Sequence, residues 1–412
     1  MEHLIASVPY TGWVYPNETV FEWSVLIAVY PYITGLVAGA FTVSSLYQVF
    51  GFQRLRPVAH LALLTSLSFM IFVPTPLLLH LGHPERAFNS TITPHLTSAM
   101  AMFGFFASFY VGLLLLEGWF AYRPYIVEQA HARTGLLGLF YRLLTLGSDD
   151  VSEHAMGYDR KWIFALAVIG IPAAHGLHGY VGFMYGSLKS REWWSSDLMP
   201  VIFLFSAIIS GVSLLAVLYV VTCKFRRVPI DLACLKGLAY TIWAFIMVAL
   251  VLEGLEFANI VYKGREGVDM IMQYVTGPLL VPYFILQFGI GAVTPFLWLS
   301  YMIWRGTSGK ALVIGVTVCG LLVLFSVFMM RWNVVIGGQE ISKTGKGLLS
   351  YHLPLWGKEG ALTAIALTLA PLALLYGLAR LFPPWEDEAK LTEAGSHRIE
   401  GMSGDGVRAV PQ

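Results

Sequence analysis

Nine apolar stretches of span length divide this chain, near residues 23–49, 57–80, 96–120, 162–187, 198–222, 237–262, 279–303, 310–330 and 360–381. A helix rises 1.5 Å per residue, so about 20 apolar residues cross a hydrocarbon core of about 30 Å with every backbone group satisfied internally. Only 12% of the 412 residues are charged, where a soluble domain carries about 25%. The fold class expected is an all-α integral membrane protein of about nine transmembrane helices, its termini on opposite sides. The connections divide the chain into a segment 1–22, a helical core 23–330, a loop 331–359, a ninth helix 360–381 and a polar tail 382–412.

Orientation follows from the placement of Lys and Arg, which concentrate in loops facing the cytoplasm. One set of connections holds Arg54, Arg56, Arg123, Arg133, Arg142, Arg160, Lys161, Lys224, Arg226, Arg227, Lys236, Arg305 and Lys310, joined by the tail's Arg380, Lys390, Arg398 and Arg408. The opposite set is smaller: Arg86, Lys189, Arg191, Lys263, Arg265, Arg331, Lys343, Lys346 and Lys358. The N-terminus is therefore expected outside and the C-terminus inside, with no basic residue deep in a span. The first 22 residues hold neither a basic leader nor an apolar run, so no cleavable signal is expected. The cysteines, Cys223, Cys234 and Cys319, form no CxxC or CxxCH, so no Cys-ligated cluster or c-type haem of the chain's own is expected.

Against this apolar background a few ionisable residues stand out: His175 and His178 in IGIPAAHGLHGYVGF, and Glu253 and Glu256 in MVALVLEGLEFANIV. A carboxylate at the centre of a bilayer costs roughly 2.5–3.5 kcal/mol, which a leucine would avoid. His178 and Glu253 each lie about 16 residues, or roughly 24 Å, into a helix running from inside to outside. Glu22 opens the first helix on that side, and His80 and His83 close the second. The polar groups therefore converge on the outer leaflet.

A quinone site needs hydrogen bonds to two ring carbonyls and a group that exchanges protons. His178 and Tyr180 fit the first task, and Glu253, Glu256 and Asn259, spaced by three along one helix side, fit the second. His175, one turn deeper, extends a proton path inward toward Glu117 and His60. Plainer readings stand beside these: a histidine hydrogen-bonded within the bundle, a packing tyrosine, and protonated glutamates bonded to a neighbouring helix. Haem ligation by His178 with His80 is a second class of function, and a transporter or non-catalytic anchor a third. The pair Gly35 and Gly39 permits close helix contact. The 121–161 connection is expected to include a short interfacial helix, and the 331–359 loop to form an ordered cap.

The run LLLHLGHPERAFNSTITPHLTSAMAMFGF resembles the NrfD/PsrC family of membrane subunits at Leu81, Gly82, Pro84, Arg86 and Ser98. The segments IPAAHGLHGYVGFMYGSLKSREWW and RWNVVIGGQ resemble the DsrP- and QrcD-like branch of that family. The resemblance implies two four-helix bundles, here followed by an extra C-terminal helix, in a prokaryotic cytoplasmic membrane. It implies a menaquinone or ubiquinone pocket near the outer face, a docked ferredoxin-like iron–sulfur subunit with further redox subunits, and no haem or iron–sulfur cluster in this chain. The chain would then be a subunit of a quinone-dependent oxidoreductase complex, not catalytic alone. Tyr180 and Glu22 are similar in position to the family's pocket residues; the family's Asp before Leu-Gly is His80 here. Quinone binding is thus expected at His178, Tyr180, Glu22 and His80, and proton transfer at Glu253, Glu256, His175 and Glu117.

Overall fold

The structure, a computed structural model, describes residues 21–264, 268–343 and 347–385. Residues 1–20 and 386–412 lie outside that set, and with them most of the expected N-terminal segment and polar tail. Among the described residues nine helices are long and apolar enough to span a membrane: Val25–Gln48, Gln53–His80, Ala99–Ala132, Glu153–Gly186, Met199–Arg226, Leu232–Lys263, Leu280–Trp304, Gly309–Glu340 and Ala361–Leu381. They are called the first to ninth spans. The chain is a multi-pass, all-α membrane protein.

Local chemistry sets the helix ends. Ser24 begins the first span with its hydroxyl accepting from Leu26 N, Ser152 does the same for Ala155 N below the fourth, and Asp231 accepts from Ala233 N and Cys234 N at the sixth. Pro57 and Pro200 sit in first turns, where a missing N–H costs nothing, and Pro295 sits inside the seventh span where its π-helical stretch passes into α-helix. The sixth span stops at Gly264 in the left-handed region, φ +52°, which glycine enters without strain. The second span breaks at Val73, just before Pro74, into Arg56–Phe72 and Pro74–His80.

The first four spans pack on one another and the fifth to eighth do likewise, giving two bundles joined where the first span meets the fifth. That joint is made by small residues. A Cβ on Gly39 would strike the Gly211 backbone, and one on Gly211 the Gly39 backbone, so the two helix backbones touch. Glycine is required at both positions by the closeness of that approach. Gly35, one turn away, leaves room for the His178 ring. The ninth span lies against the second, and the amphipathic helix Gly135–Leu144 follows the third. The Tyr141 hydroxyl of that short helix donates to Leu381 O at 2.8 Å, tying it to the end of the ninth span.

Several boundaries differ from the sequence expectation, the fourth helix starting at Glu153 instead of near 162, and two of the differences bury a cation. The third helix runs through Pro124 to Ala132, carrying Arg123 inside it, buried. The eighth helix continues past residue 330 as Gly309–Val335, so Arg331 is not in an outer loop. It is completely buried within the helix, which corrects the expectation that no basic residue lies deep in a span.

Candidate functional site

All nine spans have one end on the face where the first helix begins, called here the N-terminal face. About two to three turns in from it, the fourth to eighth spans bring their polar side chains to similar depth. The centre of this layer is Arg331. Its Nη2 donates to Ser206 Oγ at 2.5 Å and to His178 Nε2 at 3.0 Å, and its guanidinium lies over the Phe203 ring, 3.9 Å from the centroid. An arginine only donates, so Nε2 of His178 is the acceptor and the imidazole is neutral, its proton on Nδ1.

A second set of bonds stays within the bundle of the fifth to eighth spans. Asn333 Nδ2 donates to Gln287 Oε1 at 2.8 Å and to Pro282 O at 3.2 Å; Gln287 Nε2 donates to Glu253 Oε2 at 2.7 Å. Gln287 lies in a π-helical stretch, Leu280–Val293, whose wider turn frees main-chain groups. The Gln287 carbonyl accepts from Ser326 Oγ at 2.9 Å, so the distortion is satisfied by the eighth span. π-helical turns are rare and concentrate at functional sites.

The segment Arg191–Trp194 holds the eighth span in position. A helix leaves its last carbonyls without partners, and here Trp193 Nε1 donates to Asn333 O, Trp194 Nε1 to Val334 O, and Arg191 to Gly338 O and Ile341 O. Trp194 in turn stacks on Trp23 at 5.1 Å, and the Gln339 amide clamps Trp23 through its backbone N–H and C=O. The two segments singled out in the sequence, around Arg191 and around Arg331, are thus in contact. Outside the spans, burial and the neighbouring Glu340 and Glu359 carboxylates push the phenols of Tyr274 and Tyr351 above their ordinary pKa.

The remaining predicted residues divide among several places. Tyr180 stands two residues from His178, about 200° around the helix, and the two side chains diverge. Tyr180 is half-buried, donates to Ala99 O at 2.9 Å and packs on Phe106, both of the third span, and on Phe183 of its own helix. His178 is fully buried among the first, fifth and eighth spans. His80 pairs with Glu359 at 2.9 Å and lies 3.4 Å from Ser24 Oγ, next to the exposed Glu22. His80 and His178 therefore have separate partners and do not face each other as a ligand pair. Glu256 and Asn259 line a small groove with Glu192, Ser195 and Lys263, and Glu192 and Ser195 also border a larger depression reaching Lys189 and Asp197. This gives Glu256 access to the N-terminal face.

His175 Nδ1 donates to Ile171 O at 2.7 Å, and its Nε2 lies 3.2 Å from Thr42 Oγ1. Glu117 is completely buried, with neither carboxyl oxygen hydrogen-bonded, on the helix face that also carries Tyr110. The sequence reading missed Arg331, Ser206, Gln287 and Asn333. Their signal was weak: a serine, a glutamine and an asparagine in apolar runs, and an arginine at the edge of one.

The fold is that of a multi-pass membrane protein, a bundle of apolar spans with ionisable groups built into its interior. The family model described as polysulphide reductase, NrfD, matches residues 14–342, and the chain belongs to that family. It is 31% identical over 321 residues to a selenate reductase subunit of Mesobacillus selenatarsenatis, covering 76% of this chain and 73% of that protein. It is 26% identical over 365 residues to a putative dimethyl sulfoxide reductase membrane subunit of Halobacterium salinarum, covering 86% and 79%. An Hdr-like menaquinol oxidoreductase integral membrane subunit of Archaeoglobus fulgidus is 23% identical over 320 residues, covering 77% and 71%.

Proposed function

We propose that this chain is the quinone-reactive membrane subunit of a modular oxidoreductase complex, exchanging electrons between a membrane quinone and an iron–sulfur subunit docked on the N-terminal face. The names of the relatives, all subunits of reductases or of a menaquinol oxidoreductase, support the class. The observation that carries the site reading is the layer of polar side chains near one face only, from the buried His178, Arg331 and Gln287 to the half-buried Glu253. Placing such groups in an apolar bundle costs stability, so they serve a task that leucines would not.

Tyr180, His80 and Glu22 stand at the ends of the first four spans, where a ring entering from lipid meets the N-terminal face. Tyr180 and His80 offer the hydrogen-bonding groups that fit two ring carbonyls, and Glu22 the rim. A quinone supplies two-electron, two-proton redox chemistry when bound. His178, two residues away on the opposite side of the same helix, is a neutral base buried inside the bundle. Glu253 and Glu256 exchange protons with the N-terminal face through the groove of Glu192 and Asn259, and His175 and Glu117 extend the path toward the opposite face. The Lys and Arg distribution supports an outward-facing N-terminal face in a prokaryotic cytoplasmic membrane.

The test is quinone-dependent turnover of the purified complex carrying Tyr180→Phe, His178→Ala or Glu253→Gln. Loss of a proton-transfer group is expected to cost about 10²–10⁴-fold in turnover, with assembly intact. Unchanged turnover in all three variants would remove the site from this layer.

A further inference from the structure

The proposed quinone site takes one of its contacts from a part of the chain that the family model does not match. That match ends at residue 342. Glu359 lies beyond it, yet its Oε1 stands 2.9 Å from Nδ1 of His80 at the end of the second span.

Local structure presents the carboxylate there. The chain turns at Gly357, φ +108°, a region that glycine enters freely. Gly360 caps the ninth span, and a Cβ on it would strike the Trp356 backbone. Between the two glycines, Lys358 donates to Leu81 O at 3.2 Å, taking up a carbonyl at the end of the second span. Thr363 Oγ1 donates to Gly357 O at 2.8 Å, and Ala361 N to Pro354 O at 2.8 Å. Earlier in the loop, the Tyr351 hydroxyl accepts from Val25 N at 3.1 Å, and its ring packs on Trp332. The turn carrying Glu359 is therefore fastened to the first, second, eighth and ninth spans, and the carboxylate is in place before a ligand arrives.

The bond to His80 has one sense. An ionised carboxylate only accepts, so Nδ1 of His80 carries the proton. Ser24 Oγ, 3.4 Å from the same nitrogen, itself accepts from Leu26 N. Nε2 makes no hydrogen bond among the described residues, and the side chain is 17% exposed. The bond made by one ring nitrogen sets the state of the other. We propose that Glu359 is a positioning residue that holds the His80 proton on Nδ1, presents Nε2 to the quinone as a proton acceptor, and supplies the counter-charge once Nε2 is protonated.

The proposal rests on the reading of His80 as a quinone-binding group. Nε2 takes one proton from a quinol hydroxyl, whose O–H bond breaks as the Nε2–H bond forms. The electrons left on the ring pass to the docked iron–sulfur subunit, and the His80–Glu359 pair goes from net negative to neutral. In the reverse direction Nε2 returns that proton to the ring oxygen. Glu359 touches neither the quinone nor the moving proton.

Nitrogen-15 NMR of the intact complex labelled at histidine tests this, with the His80 signals assigned by their absence in His80→Gln. Nδ1 is expected to be protonated in the wild type and in Glu359→Gln, whose carbonyl still accepts. In Glu359→Ala the proton is expected on Nε2. A bare Nδ1 in the wild type, or a proton that stays on Nδ1 in Glu359→Ala, overturns the proposal. The wild-type spectrum decides even where Glu359→Ala does not assemble. The second readout is quinol-dependent turnover per assembled complex. Glu359→Ala is expected to lower kcat by about 10²-fold, and Glu359→Gln to fall between it and the wild type. Undiminished turnover in Glu359→Ala overturns the proposal. Normal turnover in His80→Gln, with a ring proton that follows Glu359, would sink the quinone reading of His80 alone. Impaired turnover in His80→Gln, with a ring proton indifferent to Glu359, would sink the positioning role alone.

Discussion

Arg123 and Arg331 are both buried within long helices, and they are held in opposite ways. Arg123, near the far face, meets Asp159 through Nε at 2.8 Å and Nη2 at 2.6 Å, and its remaining nitrogen donates to Ser148 and to Asp150 O. That cation is neutralised on the spot and fastens the third helix to the fourth. Arg331 has a histidine, a serine and an aromatic face in place of a carboxylate. A cation in contact with a carboxylate makes a neutral, fixed joint, whereas one held only by neutral groups keeps its full field inside the bundle. On the proposed reading the far face serves anchorage and the N-terminal face the movement of charge.

The sharpest way to break this contrast is to remove each cation. Arg331→Met is expected to lower quinone-dependent turnover per assembled complex by about 10²-fold or more, and Arg123→Met to leave it within about twofold while reducing the amount assembled. Equal turnover losses would erase the distinction between the faces. The next effect is on stability: Asp159→Asn leaves a buried cation without its partner, which is expected to cost about 3–5 kcal/mol, read by thermal melting of the complex. A smaller change sharpens the picture of how the bundles meet. Gly211→Val forces apart the backbones of the first and fifth helices and is expected to destabilise by about 1–3 kcal/mol. The smallest expected effect is that of Tyr141→Phe, about 1 kcal/mol, with turnover unchanged, since it only frees the interfacial helix from Leu381. A turnover loss there would mean that the far face also takes part in the reaction.

The spans were legible because length and apolarity suffice to mark them, and the ninth, expected at 360–381, is found at Ala361–Leu381. The contact role of Gly39 was legible from small-residue spacing. Arg331 was misplaced for a physical reason. A charge followed by Trp-Asn reads as the end of an apolar run, yet the partners that keep it inside the membrane lie 153 and 125 residues away, at His178 and Ser206. Its helix continues because Trp193, Trp194 and Arg191 take up the last carbonyls, again from a distant segment. The sequence assigns His178 and Tyr180 to one pocket because their polar groups both suit hydrogen bonds to a quinone ring. Their two-residue spacing on a helix turns them to different neighbours.

The sequence by itself determined that this chain crosses a membrane repeatedly, which side its basic loops favour, and that its spans carry ionisable side chains that apolar residues could have replaced. Those properties are written in runs of neighbouring residues, where hydrophobicity and spacing act locally. Only the tertiary structure decided which of the polar residues meet. A buried polar group must find its partner on whatever helix packs against it, and here packing joins residues more than a hundred positions apart: His178 to Arg331, Ser206 to Arg331, and Arg191 to Gly338.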